Sequence, residues 1–256
     1  MRSDKYQHNE WIYVVFGIGL EDNMALPQTE HPLIDVRVHS LNKSVKFRPF
    51  LVKEEKLLIL ANETKDVDEM IKATQQIITN CSFGEISGDE LPVFDMQNIF
   101  LNLRKVSISE TVEARLACGH CENAIDITID LGNFKLHETE GHEKQVRLSE
   151  DVLVEMRYPN VKEMMMLGQS ETEGDVFKVA ELCIDKIFAG DSIVDSEDLS
   201  PEDKEEFIDN LTSEQFKEFK KFFESMPVIE SEIEYSCPKC EKNNKTFLNG
   251  YYDFFG

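Results

Sequence analysis

Residues 111–134 read "TVEARLACGHCENAIDITIDLGNF", with a Cys-Gly-His-Cys tetrad, Cys118 to Cys121, at the centre. Such a pair serves either as the redox centre of a disulfide oxidoreductase or as half of a tetrahedral zinc site. The flanks discriminate. Val112, Ala114 and Leu116 alternate with other residues ahead of the pair, and Ile125, Ile127 and Ile129 alternate after it. A period of two, rich in β-branched residues, predicts strand, turn, strand. A redox pair caps a helix whose N-terminus lowers the first thiol's pKa, and no helical period follows Cys121.

The same frame returns near the other end. "IESEIEYSCPKCEKNNKTFLNGYYDFF" (229–255) places Cys237 and Cys240 between strand-like flanks. Two such hairpins make a zinc ribbon, with Cys118, Cys121, Cys237 and Cys240 holding one structural Zn2+ per chain. A closed shell of four thiolates leaves no position for water, so such an ion polarises nothing. The pairs are 115 residues apart (122–236), much longer than an ordinary ribbon linker, so the ribbon must be split by a folded insertion. A redox pair and unrelated free thiols are the alternatives. His120, inside the turn, is expected to face solvent. Cys81 and Cys183 fall on apolar helix faces and are expected in the core.

Around this ribbon the chain divides into an α+β protein. Residues 24–109 form an N-terminal strand and helical segment. Its hairpin has strands near 33–39 and 44–48, ended by Pro49. Helices are expected at 51–62, at 66–81 with Asp66 as N-cap, and at 93–108, with a loop at 83–92. In the first helix Leu51, Leu57, Leu58 and Ile59 are expected inward, and Lys53, Glu54 and Glu55 outward. Residues 110–148 plus 235–256 form the split ribbon. Residues 149–234 form an acidic, mostly helical insertion. Within it Ser149 is read as a helix cap, 175–190 as a helix capped by Gly190, Ser200 as an N-cap with Asp203 as a capping acid, and Thr212 or Ser213 as the next N-cap. Phe216, Phe219, Phe222 and Phe223 make an apolar face read as core. No internal repeat or low-complexity tract is expected.

Charge narrows the function. The chain carries −23 over 256 residues, which disfavours direct contact with nucleic acid, whose binders present Lys/Arg patches. Residues 171–234 hold 20 Asp/Glu and 6 Lys, so −14 of the −23 lies in one quarter of the chain. That quarter is read as solvated helix faces or as a docking surface for a basic partner. Six cysteines are too few for a disulfide scaffold, and two C-x-x-C pairs favour metal. The longest apolar run, "WIYVVFGIGL" (11–20), is short of the roughly 20 residues of a membrane span, so no membrane contact is expected. Met24, opening "MALPQTEHPL", is expected to be the translation start, with 1–23 an upstream extension. No phosphate loop, nucleophile elbow or zinc-protease motif occurs, so neither an enzyme nor a small-molecule substrate is expected. His137 and His142, flanking "ETEG", are read as solvated surface residues.

The order of parts then carries a resemblance. "MALPQ", "KFRPFLVKEEKLLILANE", "MIKATQQIITNC", "LPVFDMQNIFLNLRKVSISETVE" and a following C-x-x-C resemble the baseplate hub family of T-even-type contractile-tailed bacteriophages. "RPFLVKEEKLLILA" is the most specific string. The resemblance covers about 24–130, loosens through the acidic region, and recovers at the second C-x-x-C and "YYDFF". It implies a non-enzymatic protein of tail morphogenesis in the host cytoplasm, an assembly factor or chaperone that binds other tail proteins to build the hub. A permanent hub subunit in the virion baseplate is the first alternative. A zinc-ribbon regulatory adaptor follows, and an oxidoreductase comes last. The matching positions Arg48, Pro49, Phe50, Lys53, Glu54 and Glu55 are expected to be structural or partner-facing.

Overall fold

The computed structural model describes residues 30–168 and 174–249. The start at Met24, the extension 1–23 and the "YYDFF" tail lie outside the described residues. The described chain is a mixed α and β protein with seven α-helices and four small antiparallel sheets.

The N-terminal hairpin forms because Val36, Val38, Val45 and Phe47 alternate with polar residues and so share one buried face. Its strands are β1 (Ile34–Val38) and β2 (Lys43–Phe47), with Val36 opposite Val45. Three helices cover it: α1 (Val52–Thr64), α2 (Val67–Cys81) and α3 (Val93–Ser107). Asp66 caps α2, accepting the Asp68 backbone N–H at 2.9 Å. Asp95, fully buried at the start of α3, accepts the His39 and Ser40 backbone N–H groups at 2.7 and 2.8 Å and ties the hairpin turn to that helix.

The first helix departs from its expected orientation. Glu54 is fully buried, while Ile59 and Leu60 are 53% and 60% exposed. A buried carboxylate needs a partner, and Glu54 has Arg48. Arg48 donates to its two oxygens at 2.9 and 3.2 Å, and to the Pro49 carbonyl at 3.1 Å. Glu54 also accepts the Leu51 backbone N–H at 2.9 Å. Burial pushes the Glu54 pKa up, but Arg48 and the Leu51 amide outweigh it, and the carboxyl is held below its ordinary value.

The chain continues through β3 (Thr111–Ala117), β4 (Ala124–Asp130), β5 (Lys135–His137), β6 (Gln145–Arg147), β7 (Val152–Met156), α4 (Val161–Gly168) and α5 (Gly174–Cys183). There follow β8 (Ile184–Ala189), β9 (Ser192–Asp195), α6 (Pro201–Asp209), α7 (Ser213–Glu224), β10 (Val228–Ser236) and β11 (Asn243–Asn249). The acidic segment is thus not only helical. Strands β6-β7-β8-β9 make a four-stranded sheet, and β6, expected with the ribbon, pairs with β7 across the 148/149 boundary. Helix α5 runs into β8 without a loop, so Gly190 sits at φ +59° in the β8–β9 turn instead of capping a helix. Ser149 starts no helix; its hydroxyl accepts the Val152 N–H at 3.0 Å as the chain turns into β7. The capping box of α6 (Ser200, Asp203) forms as expected, and of the two candidates for α7 it is Thr212 that caps, in a box with Gln215. Phe216, Phe219 and Phe222 are buried, each contributing roughly 1.5–3 kcal/mol.

Against the expectation of no repeat, the structure contains one. Arg157 and Glu163 stand 109 residues beyond Arg48 and Glu54 (48 to 157, 54 to 163). Arg157 donates to both Glu163 oxygens at 2.7 and 2.9 Å and to the Tyr158 carbonyl at 3.2 Å. Glu163 accepts the Asn160 backbone N–H at 2.8 Å, as Glu54 accepts that of Leu51. The backbone N–H of each arginine donates to the carbonyl of the cysteine ending the unit's second helix, Cys81 at 3.0 Å and Cys183 at 2.8 Å. Val146 faces Val154 as Val36 faces Val45. Hairpin, arginine–glutamate latch and helix pair therefore occur twice, followed by α3 in the first unit and α6 in the second. The ribbon hairpin β3–β4 lies between the two units.

Candidate metal centre

Each C-x-x-C pair occupies the turn of a hairpin. Strands β3 and β4 pair from Thr111–Asp130 to Ala117–Ala124, and β10 and β11 from Glu230–Asn249 to Ser236–Asn243. The third strand β5 adds to the outer side of β10. The two turns share one geometry. Cys118 donates its backbone N–H to Asn123 O at 2.9 Å and accepts from Glu122 N–H at 2.9 Å; Cys237 does the same with Lys242 and Glu241 at 2.9 Å each. Glu122 and Glu241, each directly after the second cysteine, take left-handed conformations at φ +58° and +55°. That folds each turn back so both sulfurs point the same way.

Two contacts hold the hairpins together. Asn244, largely buried, accepts the Gly119 backbone N–H at 2.9 Å, and the Tyr235 hydroxyl donates to the Ala117 carbonyl at 2.8 Å. The four sulfurs lie within 4.8 Å of one another, with Cys118–Cys240 and Cys121–Cys237 at 3.7 Å. Four sulfurs about 2.3 Å from a tetrahedral zinc stand about 3.8 Å apart, so the donor set fits such an ion. Cys118, Cys121, Cys237 and Cys240 could therefore hold a metal. Burial pushes the Cys118 thiol up, but hydrogen bonds from the His120 and Cys121 amides and the Cys240 and Asn244 side chains bring it to about 6. Cys237 is also lowered: burial opposes, and the Cys240 and Lys239 amides and the Cys121 and Cys240 side chains outweigh it. The Asn123 amide lowers the Cys121 thiol, but burial and its hydrogen bonds with Cys237, Cys240 and Cys118 outweigh it and push that thiol up to about 11. No helix starts at either pair, so the helix terminus expected beside a redox cysteine is missing.

The other singled-out residues fall elsewhere. His120 is exposed on the turn. Cys81 and Cys183 are buried in the two repeat cores, and burial pushes both thiols up to about 12. His137 is exposed on β5, 3.7 Å from Glu230. His142 is not a solvated surface residue. Its ring nitrogens bond Ser225 Oγ at 2.8 Å and Tyr158 Oη at 2.9 Å, and its ring packs against those of Tyr158 and Phe222, which also stack on each other. Of the residues expected to be structural or partner-facing, Arg48 and Glu54 are turned inward onto each other, and Phe50 is half-buried against Phe100 at 5.7 Å. Lys53 and Glu55 are exposed. The latch of the second repeat, Arg157 and Glu163, escaped the sequence reading. Its signal is present: "RPFLVKE" (48–54) and "RYPNVKE" (157–163) share the arginine and the closing Val-Lys-Glu at equal spacing.

A family model described as T4 bacteriophage base plate protein matches residues 31–256, a span that includes both repeats and all four cysteines. No curated protein and no solved structure matches the chain.

Proposed function

The chain belongs to the T4 bacteriophage base plate protein family, and on that premise we propose that it is a non-enzymatic assembly factor of the baseplate hub. It binds other tail proteins in the cytoplasm of the infected cell and holds them ready for assembly. The family match over residues 31–256 is the observation that carries this reading. One physical feature supports a binding role. Nine acidic residues between Asp191 and Asp209, among them Asp195, Glu202 and Glu206, are exposed around β9 and α6, a field that steers a basic partner. Among the described residues no helix is long and apolar enough to cross a membrane.

In this reading the four cysteines hold one structural zinc. The ion joins the hairpin before the second repeat to the hairpin after it, so the acidic repeat is anchored at both ends. The ribbon has little core of its own: its buried cluster is Cys118, Ile125 and Cys237. The ion therefore supplies much of the local folding energy. The second reading is a permanent hub subunit, which the same family match favours equally. Affinity purification of a tagged chain from infected cells tests the proposal. Baseplate or tail proteins should co-purify stoichiometrically, and their absence would overturn a tail-protein-binding role.

A further inference from the structure

The two repeats differ in what covers the helix after the latch. Val52 and Val161 each open that helix, four residues past the latch arginine. Val161 is 3% exposed and belongs to the core of the first repeat, where Met165 packs beside it. Val52 is 67% exposed. Ile59 and Leu60, seven and eight residues or about two turns further on, are bare on the same helix. The patch extends onto α3. Phe50 donates its backbone N–H to Ser107 Oγ at 2.8 Å, which sets the start of α1 against the end of α3. Val106 and Ile108, on either side of Ser107, are 47% and 48% exposed. Single apolar residues on a surface are ordinary, but Val52, Ile59 and Leu60 along one helix, with Val106 and Ile108 at the end of the helix its start meets, are more than scatter.

We propose that this junction of α1 and α3 is an interface whose occupant is a second copy of the chain. Its second repeat seats there in the manner shown within one molecule. The internal packing says what such a helix fits. Inside the chain, α4 is covered by the other repeat, at the start of α3, where Asn160 bridges to Pro92. The matching place in the second repeat is the start of α6, where Leu199-Ser200 stands as Leu91-Pro92 stands before α3. That place is ringed by the exposed acids Asp195, Glu197, Asp198 and Glu202. The start of helix α1 brings the exposed Lys53, Glu55 and Lys56 among its apolar residues; with Glu54 already neutralised by Arg48, and Lys53 3.6 Å from that same carboxylate, the exposed groups there carry a net charge of +1, opposite in sign to the seat. The contact joins different surfaces of the two copies. It is therefore heterologous and builds a ring where the rotation closes, or a growing chain where it does not.

Sedimentation velocity of the full metal-loaded chain across a wide concentration range tests this. The wild type should show a sedimentation coefficient that rises with concentration and falls back in high salt. Val52→Asp with Leu60→Asp should abolish the rise, with far-UV circular dichroism and thermal midpoint unchanged because both sites are exposed. Phe247→Asp, at an exposed apolar site outside the junction, should leave it intact. Should the double variant unfold, Lys53→Glu with Lys56→Glu replaces it, and weaker association is expected. A wild type that stays monomeric throughout, or association indifferent to both pairs of substitutions, would overturn the proposal.

Discussion

Glu54 and Glu163 make the same hydrogen bonds but sit at different depths, and that difference sets the cost of losing each. Glu54→Ala leaves the Arg48 guanidinium, whose side chain is 10% exposed, without its carboxylate, and it orphans the Leu51 amide. Removing one partner of a buried pair costs about 3–5 kcal/mol, because the remaining charge stays desolvated. Glu163→Ala strands Arg157, whose side chain is 41% exposed, so water replaces much of what is lost. The cost there falls to about 1.5–3 kcal/mol, the range for a hydrogen bond to a charged group. Urea unfolding followed by circular dichroism reads both. With a slope near 2–3 kcal/mol/M, Glu54→Ala should lower the midpoint by about 1–2 M, and Glu163→Ala by roughly half as much. Both carboxyls are held below their ordinary value, so their stabilisation is present above about pH 4.3 and is lost as pH falls further. Equal costs, a larger cost for Glu163→Ala, or a Glu54→Ala cost under about 1 kcal/mol would refute the depth argument.

Other expectations follow from the ribbon and the buried groups. Metal analysis should find one zinc per chain, and Cys118→Ser or Cys237→Ser should lose it with several kcal/mol of stability, given apparent binding energies of about 10–16 kcal/mol in zinc-finger peptides; zinc-free protein with both variants unchanged would defeat the metal site. In native protein stripped by a chelator, a thiol-specific alkylating agent should label the four ribbon cysteines. Cys81 and Cys183, raised to about 12 by burial, should react only after denaturation. Burial holds the His142 pKa below its ordinary value, Glu138 raising and Lys144 lowering it further. Its stabilisation is thus present above about pH 6.5 and lost as pH falls, and His142→Gln should flatten the stability curve just below that pH.

Much of the fold was legible where one local rule acted alone. The ribbon hairpins announce themselves because Ile125, Ile127 and Ile129 share a strand face on one side of the cysteines. Ser200-Pro201 and Thr212 mark helix starts by capping chemistry that needs no tertiary context. The convergence of the four sulfurs followed from pairing the two frames. What stayed hidden depended on partners distant in sequence or in structure. Val179, Cys183 and Ile187 keep helical spacing, yet the helix stops at Cys183 and Ile187 is in a strand beside Val154. No Gly or Pro marks that change, and only the β7 edge decides it. Glu54 looked like a solvated acid because its arginine lies before the helix. The repeat was masked because its core positions changed identity, Phe47 giving way to Met156, while the latch survived in four residues. His142 looked like a loop residue because Tyr158 and Ser225 reach it from other segments.

The central claim, that this baseplate-family protein acts by assembling others, is tested most directly by where the chain ends up. Quantitative mass spectrometry of purified virions and infected-cell lysates, referenced to a known baseplate subunit, decides it. The assembly role predicts abundant chain in lysates and none above background in virions, whereas a fixed stoichiometric amount in purified virions would contradict it.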